Sequence, residues 1–212
     1  MHLYAFGSVC RGEVTPGSDI DLLAITETFD SRFDPAVYSI YSYDRLRDMW
    51  TEGTPFAWHL SLESRLLYSD DESDFLQALG KPEAYKFGLR DCMKFSALFD
   101  KAHLSLSEGT NSRVFELSNI FLAVRNFATC FSLHAGDTPD FSRNSALRLG
   151  PNSLRADPNA YDVLQRARIL CTRGIGRKID DADERSVMSQ LGAVKEWMDK
   201  LTRMVASNER IQ

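Results

Sequence analysis

The sequence has no long apolar run, since no stretch approaches the ~20 residues that a membrane-spanning helix requires. Its first residues, MHLYAFGS, lack the cationic segment and apolar stretch of a secretory signal. The four cysteines are widely spaced, with no CxxC pair and no cysteine–histidine spacing typical of zinc sites. Internal repeats and low-complexity tracts are also missing. We therefore expect a cytoplasmic protein with reduced thiols and no membrane partner.

The composition is that of a globular protein, and its charge is unevenly distributed. Hydrophobic residues make up 43% and charged residues 26% of the 212 positions, with a net charge of -5. Residues 1–80 contain five arginines and fourteen acidic residues, whereas residues 143–178 contain eight basic and two acidic residues. An acidic first part suits bound divalent cations, and a basic second part suits a polyanion such as a nucleoside triphosphate or RNA. The alternative for both segments is an ordinary solvated surface.

The hydrophobic pattern changes from strand-like to helical near Gly80-Lys81-Pro82. Before this point the sequence predicts strands at 2–6, 20–25, 37–43 and 56–62, and a helix at 44–51. After it, the pattern predicts helices at 83–107, 113–133, 160–173 and 183–206. The expected fold is α+β, with a small mixed sheet in a first domain of residues 1–80 and an all-α helical bundle in residues 81–212.

Two aspartates lie two residues apart in the run SDIDLLAI. On a strand, Asp19 and Asp21 project from the same face. Two neighbouring carboxylates repel each other and resist desolvation, so a cation is expected between them. Carboxylate oxygens on a rigid strand are the partial ligand set that Mg²⁺ uses, and Mn²⁺ is the alternative ion.

A Gly-Ser pair follows the first predicted strand and begins what the sequence predicts as a short helix. Gly7 permits close backbone approach to a phosphate, and Ser8 can donate its hydroxyl. The N-terminus of a helix favours an anion, and Arg11 follows one turn later. A phosphate cradle beside a metal site is the arrangement that phosphoryl or nucleotidyl transfer requires.

The run GSVCRGEVTPGSDIDLL resembles the signature of the DNA polymerase β-like nucleotidyltransferase superfamily, in particular its minimal and small antibiotic nucleotidyltransferases. Ten residues separate Ser8 from Asp19, and Arg11 and Ser18 also match. The resemblance implies that Asp19 and Asp21 are catalytic and bind the metal. It further implies that a nucleoside triphosphate, expected to be ATP, is bound by Gly7, Ser8, Arg11 and Ser18. Families of this type append a helical bundle to the sheet.

The resemblance implies transfer of a nucleoside monophosphate, expected to be AMP, to a hydroxyl group. A small molecule, a protein and an RNA are all compatible acceptors. Family members usually have a helix before the Gly-Ser strand, and only a few residues stand there in this sequence. A homodimer or a partner chain is therefore an option for completing the nucleotide-side wall.

The sequence departs from the family at the third metal-binding carboxylate. The equivalent run, VYSIYSYDRL, has no acidic residue before Asp44, which we interpret as a helix N-cap. Glu63, on the polar face of the strand predicted at 56–62, is the candidate third metal ligand, and the alternative is a turn residue. A chain without this carboxylate is expected to transfer the nucleoside monophosphate slowly or not at all. The second functional hypothesis is therefore a catalytically weak or inactive nucleotidyltransferase-fold binding module, as in toxin–antitoxin or defence systems.

Overall fold

The computed structural model describes residues 1–14, 20–136 and 139–209. The chain divides into two compact units, Met1–Lys86 and Phe87–Gln212. The first unit contains a mixed sheet with helices, and the second is helical. This architecture confirms the predicted α+β class, and the division falls six residues after the boundary expected at residue 80.

The sheet of the first unit has four strands in the described residues: β1 (His2–Phe6), β2 (Asp21–Thr26), β3 (Tyr38–Ser42) and β4 (Ser64–Ser69). Their order is β3-β2-β1-β4, with β1 antiparallel to both β2 and β4, and β2 parallel to β3. The register places Phe6 opposite Asp21 on one side and opposite Ser64 on the other. The carboxylate-bearing end of β2 therefore lies beside the point where β1 ends.

Three helices accompany the sheet in the described part of the first unit: α1 (Tyr43–Glu52), α2 (Pro55–Glu63) and α3 (Phe75–Leu79). The side chains of Tyr4, Leu23 and Ile25 pack with residues of these helices in one hydrophobic core. Leu46 of α1 and Leu60 of α2 are fully buried in it. Burial of each such side chain contributes about 1.5–3 kcal/mol, so this core fixes the helices on the sheet.

The strand predicted at 56–62 is wrong, because these residues form most of α2. Its start carries strong helix signals: the Thr54 side chain accepts a hydrogen bond from the Ala57 backbone N–H, and Pro55 occupies the first turn. Ala57 and Leu60, three residues apart, are the buried positions. The alternation from Trp58 to Leu62 suggested a strand, but the buried pair follows the helical period.

The helix predicted at 44–51 is confirmed as α1, but Asp44 is not its N-cap. The Ser42 side chain caps the helix by accepting a hydrogen bond from the Arg45 backbone N–H. Asp44 lies in the first turn, where its carboxylate accepts from Arg47 at 2.8 Å. An acidic residue there is still favourable, because it faces the positive end of the helix dipole.

The helices in the described part of the second unit are α4 (Gly88–Ser107), α5 (Arg113–Ala135), α6 (Pro158–Arg173), α7 (Asp181–Met188) and α8 (Leu191–Glu209). Helix α5 packs against α4, α6 and α8, and its apolar face, including Leu117, Phe121 and Val124, is buried. The single helix predicted at 183–206 is two helices instead. Helix α7 begins earlier because Asp180 and Asp183 form a capping box with each other's backbone N–H.

The segment 80–86 belongs to the first unit through specific backbone contacts. The Trp50 indole donates to the Gly80 carbonyl at 2.9 Å, and the Trp58 indole donates to the Glu83 carbonyl at 3.1 Å. The Glu83 backbone N–H donates in turn to the Trp50 carbonyl at 3.0 Å. A helix is predicted from residue 83, but these bonds hold the segment as an irregular connection, and α4 begins only at Gly88.

Candidate active site

The site begins with a tight turn directly after β1. Gly7 has a positive φ of 76° and opens a 3-10 turn, Gly7–Val9. The backbone N–H groups of Cys10 and Arg11 donate to the Gly7 carbonyl at 3.1 and 3.3 Å, and Glu13 N–H donates to the Ser8 carbonyl at 2.9 Å. The short helix predicted to begin at the Gly-Ser pair is present as this single 3-10 turn. These bonds hold the Ser8 hydroxyl at the end of the central strand.

The close approach of Asp21 is a second reason why position 7 requires glycine. A Cβ atom added at Gly7 would lie 2.6 Å from Asp21 Oδ2, far inside van der Waals contact. The carboxylate therefore occupies the space that any larger residue at position 7 would need. The structure brings together two of the predicted site residues, one from each half of the sequence signature.

Asp21 lies at the rim of the hydrophobic core. Side chains alternate along a strand, so Asp21 shares its face of β2 with Leu23 and Ile25, which are fully buried. Asp21 itself is half-buried. Asp19 and Ser18, the other predicted residues of this segment, lie outside the described residues. The prediction that Asp19 and Asp21 share one face therefore stays a prediction.

Arg11 follows the turn and is held by two glutamates. Its Nε donates to Glu13 Oε2 at 2.9 Å, and its Nη1 donates to Glu63 Oε2. Burial opposes the charged form, but the hydrogen bonds and the two carboxylates outweigh it and raise the pKa of Arg11. The guanidinium is thus a permanent positive charge beside the Gly-Ser turn.

Glu63 is the last residue of α2, directly before Ser64 pairs with Phe6. Its carboxylate is largely buried, with 12% of the side chain exposed. The Oε2 atom that accepts from Arg11 also lies 3.0 Å from His59 Nε2. Glu63 was considered from the sequence as a metal ligand, and the structure places its carboxylate against these two basic side chains.

His59 also belongs to this cluster, although the strand predicted at 56–62 gave no reason to expect it there. On helix α2, His59 and Glu63 are four residues apart and therefore neighbours on one face. The imidazole also packs edge-to-face on Phe6, with ring centroids 5.6 Å apart. The signal that identifies His59 is the i,i+4 spacing, which has meaning only once the segment is known to be helical.

Strand β3 supplies no carboxylate to the site. It pairs in parallel with β2, with Tyr38 opposite Leu22, and its sequence YSIYS is uncharged. Across residues 1–14, 20–136 and 139–209, no three histidine, cysteine, aspartate or glutamate side chains are grouped to hold a metal ion. Asp19, one member of the predicted metal-binding pair, lies outside these residues.

The donor chemistry at this turn nevertheless fits a hard divalent cation. Asp21 presents carboxylate oxygens beside a backbone bend that only glycine allows, and hard cations prefer oxygen ligands with room for water and phosphate. The Glu63 carboxylate does not fit the same role, because its Oε2 is already held by Arg11 and faces His59. Asp21 and, by prediction, Asp19 are the residues that would hold the ion.

Two arginines in the basic segment of the second unit form ion pairs with nearby acidic residues. Arg166 pairs with Asp162 at 3.0 Å and with Asp183 at 2.8 Å, and Arg177 lies 3.2 Å from Asp183. Burial opposes ionisation of Asp183. The hydrogen bonds from Arg166 and from the Asp180 backbone N–H, together with the charges of both arginines, outweigh burial and lower the pKa of the carboxyl. These two arginines therefore stabilise the packing of α6 and α7, which weakens their assignment to a polyanion site.

Residues 2–87 match the family model of the nucleotidyltransferase domain. The first unit is therefore a nucleotidyltransferase domain, in agreement with the predicted polymerase β-like type. Domains of this kind carry the general function of nucleoside monophosphate transfer. No curated protein matches the chain significantly. No helix in the described ranges combines the length and apolar character needed to cross a bilayer.

Proposed function

We propose that the protein is a metal-dependent nucleotidyltransferase that moves AMP from ATP to a hydroxyl group of an acceptor. The observation that carries this proposal is the packing of the Asp21 carboxylate against the Gly7 turn, inside a nucleotidyltransferase domain. A site of this kind combines a carboxylate for a cation with backbone and hydroxyl donors for phosphate oxygens. Both groups are needed to bind a nucleoside triphosphate.

The residues of the turn have separate roles in this proposal. Gly7 and Ser8, together with Ser18, hold the phosphate oxygens, and Arg11 adds a fixed positive charge. Asp19 and Asp21 hold Mg²⁺ or Mn²⁺, which when bound neutralises charge on the triphosphate and on the departing pyrophosphate. The acceptor oxygen forms a bond to the α-phosphorus as the bond to pyrophosphate breaks, and the hydroxyl proton is released.

The acceptor is a small molecule, a protein or an RNA, and each class predicts a different result. Incubation of the protein with Mg²⁺, labelled ATP and cell extract distinguishes them by the size and nuclease or protease sensitivity of the labelled product. An RNA acceptor additionally predicts binding that weakens steeply with salt, because phosphate contacts release counterions. The same experiment with the other nucleoside triphosphates tests the preference for ATP. Sedimentation of the protein with and without extract tests for a homodimer or a partner chain.

The second candidate is a catalytically weak or inactive binding module of a toxin–antitoxin or defence system. It is favoured by the uncharged sequence of β3 and by the engagement of Glu63 with Arg11 and His59. A module of this kind binds nucleotide with metal but forms no labelled product. Binding and transfer therefore need to be measured on the same preparation.

Substitution of the aspartates tests the proposal directly. We expect Asp19→Ala and Asp21→Ala to lose transfer by at least about 100-fold and to lose metal-dependent nucleotide binding, with unfolding unchanged. Asp48→Ala is the matched control, since Asp48 is an exposed aspartate of the same unit on helix α1. Full activity in either site variant refutes the assignment.

A further inference from the structure

Arg11, His59 and Glu63 form a cluster beside the turn, and binding of a metal ion does not explain the contacts within it. We infer that Glu63 is a positioning residue, which fixes the Arg11 guanidinium for the triphosphate and does not ligate the metal. The inference rests on the proposed function, because it assigns a role within the same nucleotide site. The observation that supports the inference is that Glu63 Oε2 contacts both Arg11 and His59.

The geometry fixes the guanidinium on two edges. Arg11 Nε is held by Glu13 and Nη1 by Glu63. Within the described residues, Nη2 has no hydrogen-bond partner. The two glutamates therefore orient the side chain while they leave three of its five N–H bonds, two of them on Nη2, for an incoming anion. A phosphate group is the anion that this site would receive.

The position of Glu63 is itself fixed by the fold. Glu63 ends α2, and the next residue, Ser64, pairs with Phe6 immediately before the Gly7 turn. The His59 ring packs on Phe6 and lies 3.0 Å from the Glu63 carboxylate. Glu63 is thus tied to the last residue of β1 by both its backbone neighbour and its helical neighbour. A carboxylate anchored in this way can set the position of Arg11 accurately.

Burial explains why this orientation aids binding. Only 19% of the Arg11 side chain and 12% of the Glu63 side chain are exposed, so solvent screens the pair weakly. An arginine that is free in solution loses rotamer freedom when it binds a ligand, whereas a pre-fixed arginine has already lost it. Loss of Glu63 is therefore expected to weaken nucleotide binding, although it removes a negative charge next to an anionic ligand.

A double-mutant cycle tests the inference. The dissociation constant of α,β-methylene-ATP with Mg²⁺ is measured by calorimetry for the wild type, Glu63→Gln, Arg11→Gln and the double variant. We expect each single variant to bind about tenfold more weakly, and the double variant to bind no more weakly than Arg11→Gln alone, because Glu63 acts through Arg11. Glu63→Asp is expected to recover part of the loss.

A matched control separates this role from a general charge effect. Glu52 ends helix α1 and lies 3.6 Å from Arg45, so Glu52→Gln also removes a helix-terminal carboxylate from an ion pair. We expect its nucleotide affinity to match the wild type. Mn²⁺ binding, followed by electron paramagnetic resonance, is expected to be unchanged in Glu63→Gln.

The alternative outcomes are distinct. Multiplicative losses in the double variant, tighter nucleotide binding by Glu63→Gln, or weaker Mn²⁺ binding in Glu63→Gln each overturn the positioning role. Wild-type binding without any transfer refutes the proposed reaction but leaves the positioning role intact. Absence of wild-type nucleotide binding overturns both.

Discussion

Replacement of Gly7 by alanine perturbs the site through a single added carbon atom. The new Cβ would meet Asp21 Oδ2 at 2.6 Å, whereas ordinary contacts begin near 3.4 Å, so the oxygen must move by about 0.8 Å. A Mg²⁺ ion demands nearly ideal ligand positions at roughly 2.0–2.1 Å. We therefore expect Gly7→Ala to weaken metal-dependent nucleotide binding by at least about tenfold, or about 1.4 kcal/mol.

Gly12→Ala is the matched variant, because Gly12 lies in the same loop and also has a positive φ. The two φ angles are 76° and 72°, but a Cβ at Gly12 meets nothing within 4 Å. Both variants incur the cost of a left-handed alanine, about 1–2 kcal/mol. For a unit of this size, each kcal/mol lowers the melting temperature by roughly 4–8 °C.

The assay compares thermal unfolding with nucleotide affinity for the two variants. Both variants are expected to unfold at lower temperatures than the wild type, and Gly7→Ala at the lower of the two because its Cβ also displaces Asp21. Only Gly7→Ala is expected to lose nucleotide affinity. Equal nucleotide affinity in the two variants, measured below both melting temperatures, would show that the approach of Asp21 to the turn is irrelevant to binding.

Two further predictions concern the second unit. Asp183→Asn is expected to reduce the free energy of unfolding by about 1–3 kcal/mol near neutral pH, because it removes the charge that Arg166 binds. The folded-state pKa of Asp183 is lowered, so its stabilisation is present above the unfolded value of about 3.9 and disappears as the pH falls through the folded value. Urea unfolding at several pH values checks that wild type and variant converge in acid. Gly88→Ala is expected to destabilise the unit by about 1–3 kcal/mol, since its Cβ would meet His134 Nδ1 at 2.4 Å. The second substitution His134→Ala is expected to restore stability, and failure of this rescue in thermal unfolding contradicts the stated cause.

The general organisation and the first half of the site were predictable because they depend on local patterns. The strand at 2–6, the Gly-Ser bend and the helix at 44–51 follow from hydrophobic period and from glycine chemistry, and the structure has each of them. The match of residues 2–87 to the nucleotidyltransferase domain confirms the family resemblance that these residues predicted.

The remainder of the site was not predictable, because it depends on contacts between distant residues. The alternation around Trp58 fits a strand and a short helix equally, and the deciding contact is the cap at Thr54. Once that segment is taken as a strand, His59 and Glu63 fall on one polar face and nothing connects them to Arg11. The contact of Glu63 with Arg11, 52 residues earlier, follows from the register of β1 and β4, which single-sequence patterns do not specify.

The indole bonds of Trp50 and Trp58 have a practical consequence for dividing the chain. A fragment that ends at Gly80 would lose the carbonyl that Trp58 binds and the backbone that packs against Gly53. A fragment that ends at Lys86 keeps both. For the same reason, trypsin is expected to find Lys81 a poor cleavage site in the native protein, because cutting there requires the connecting segment to detach from both tryptophans.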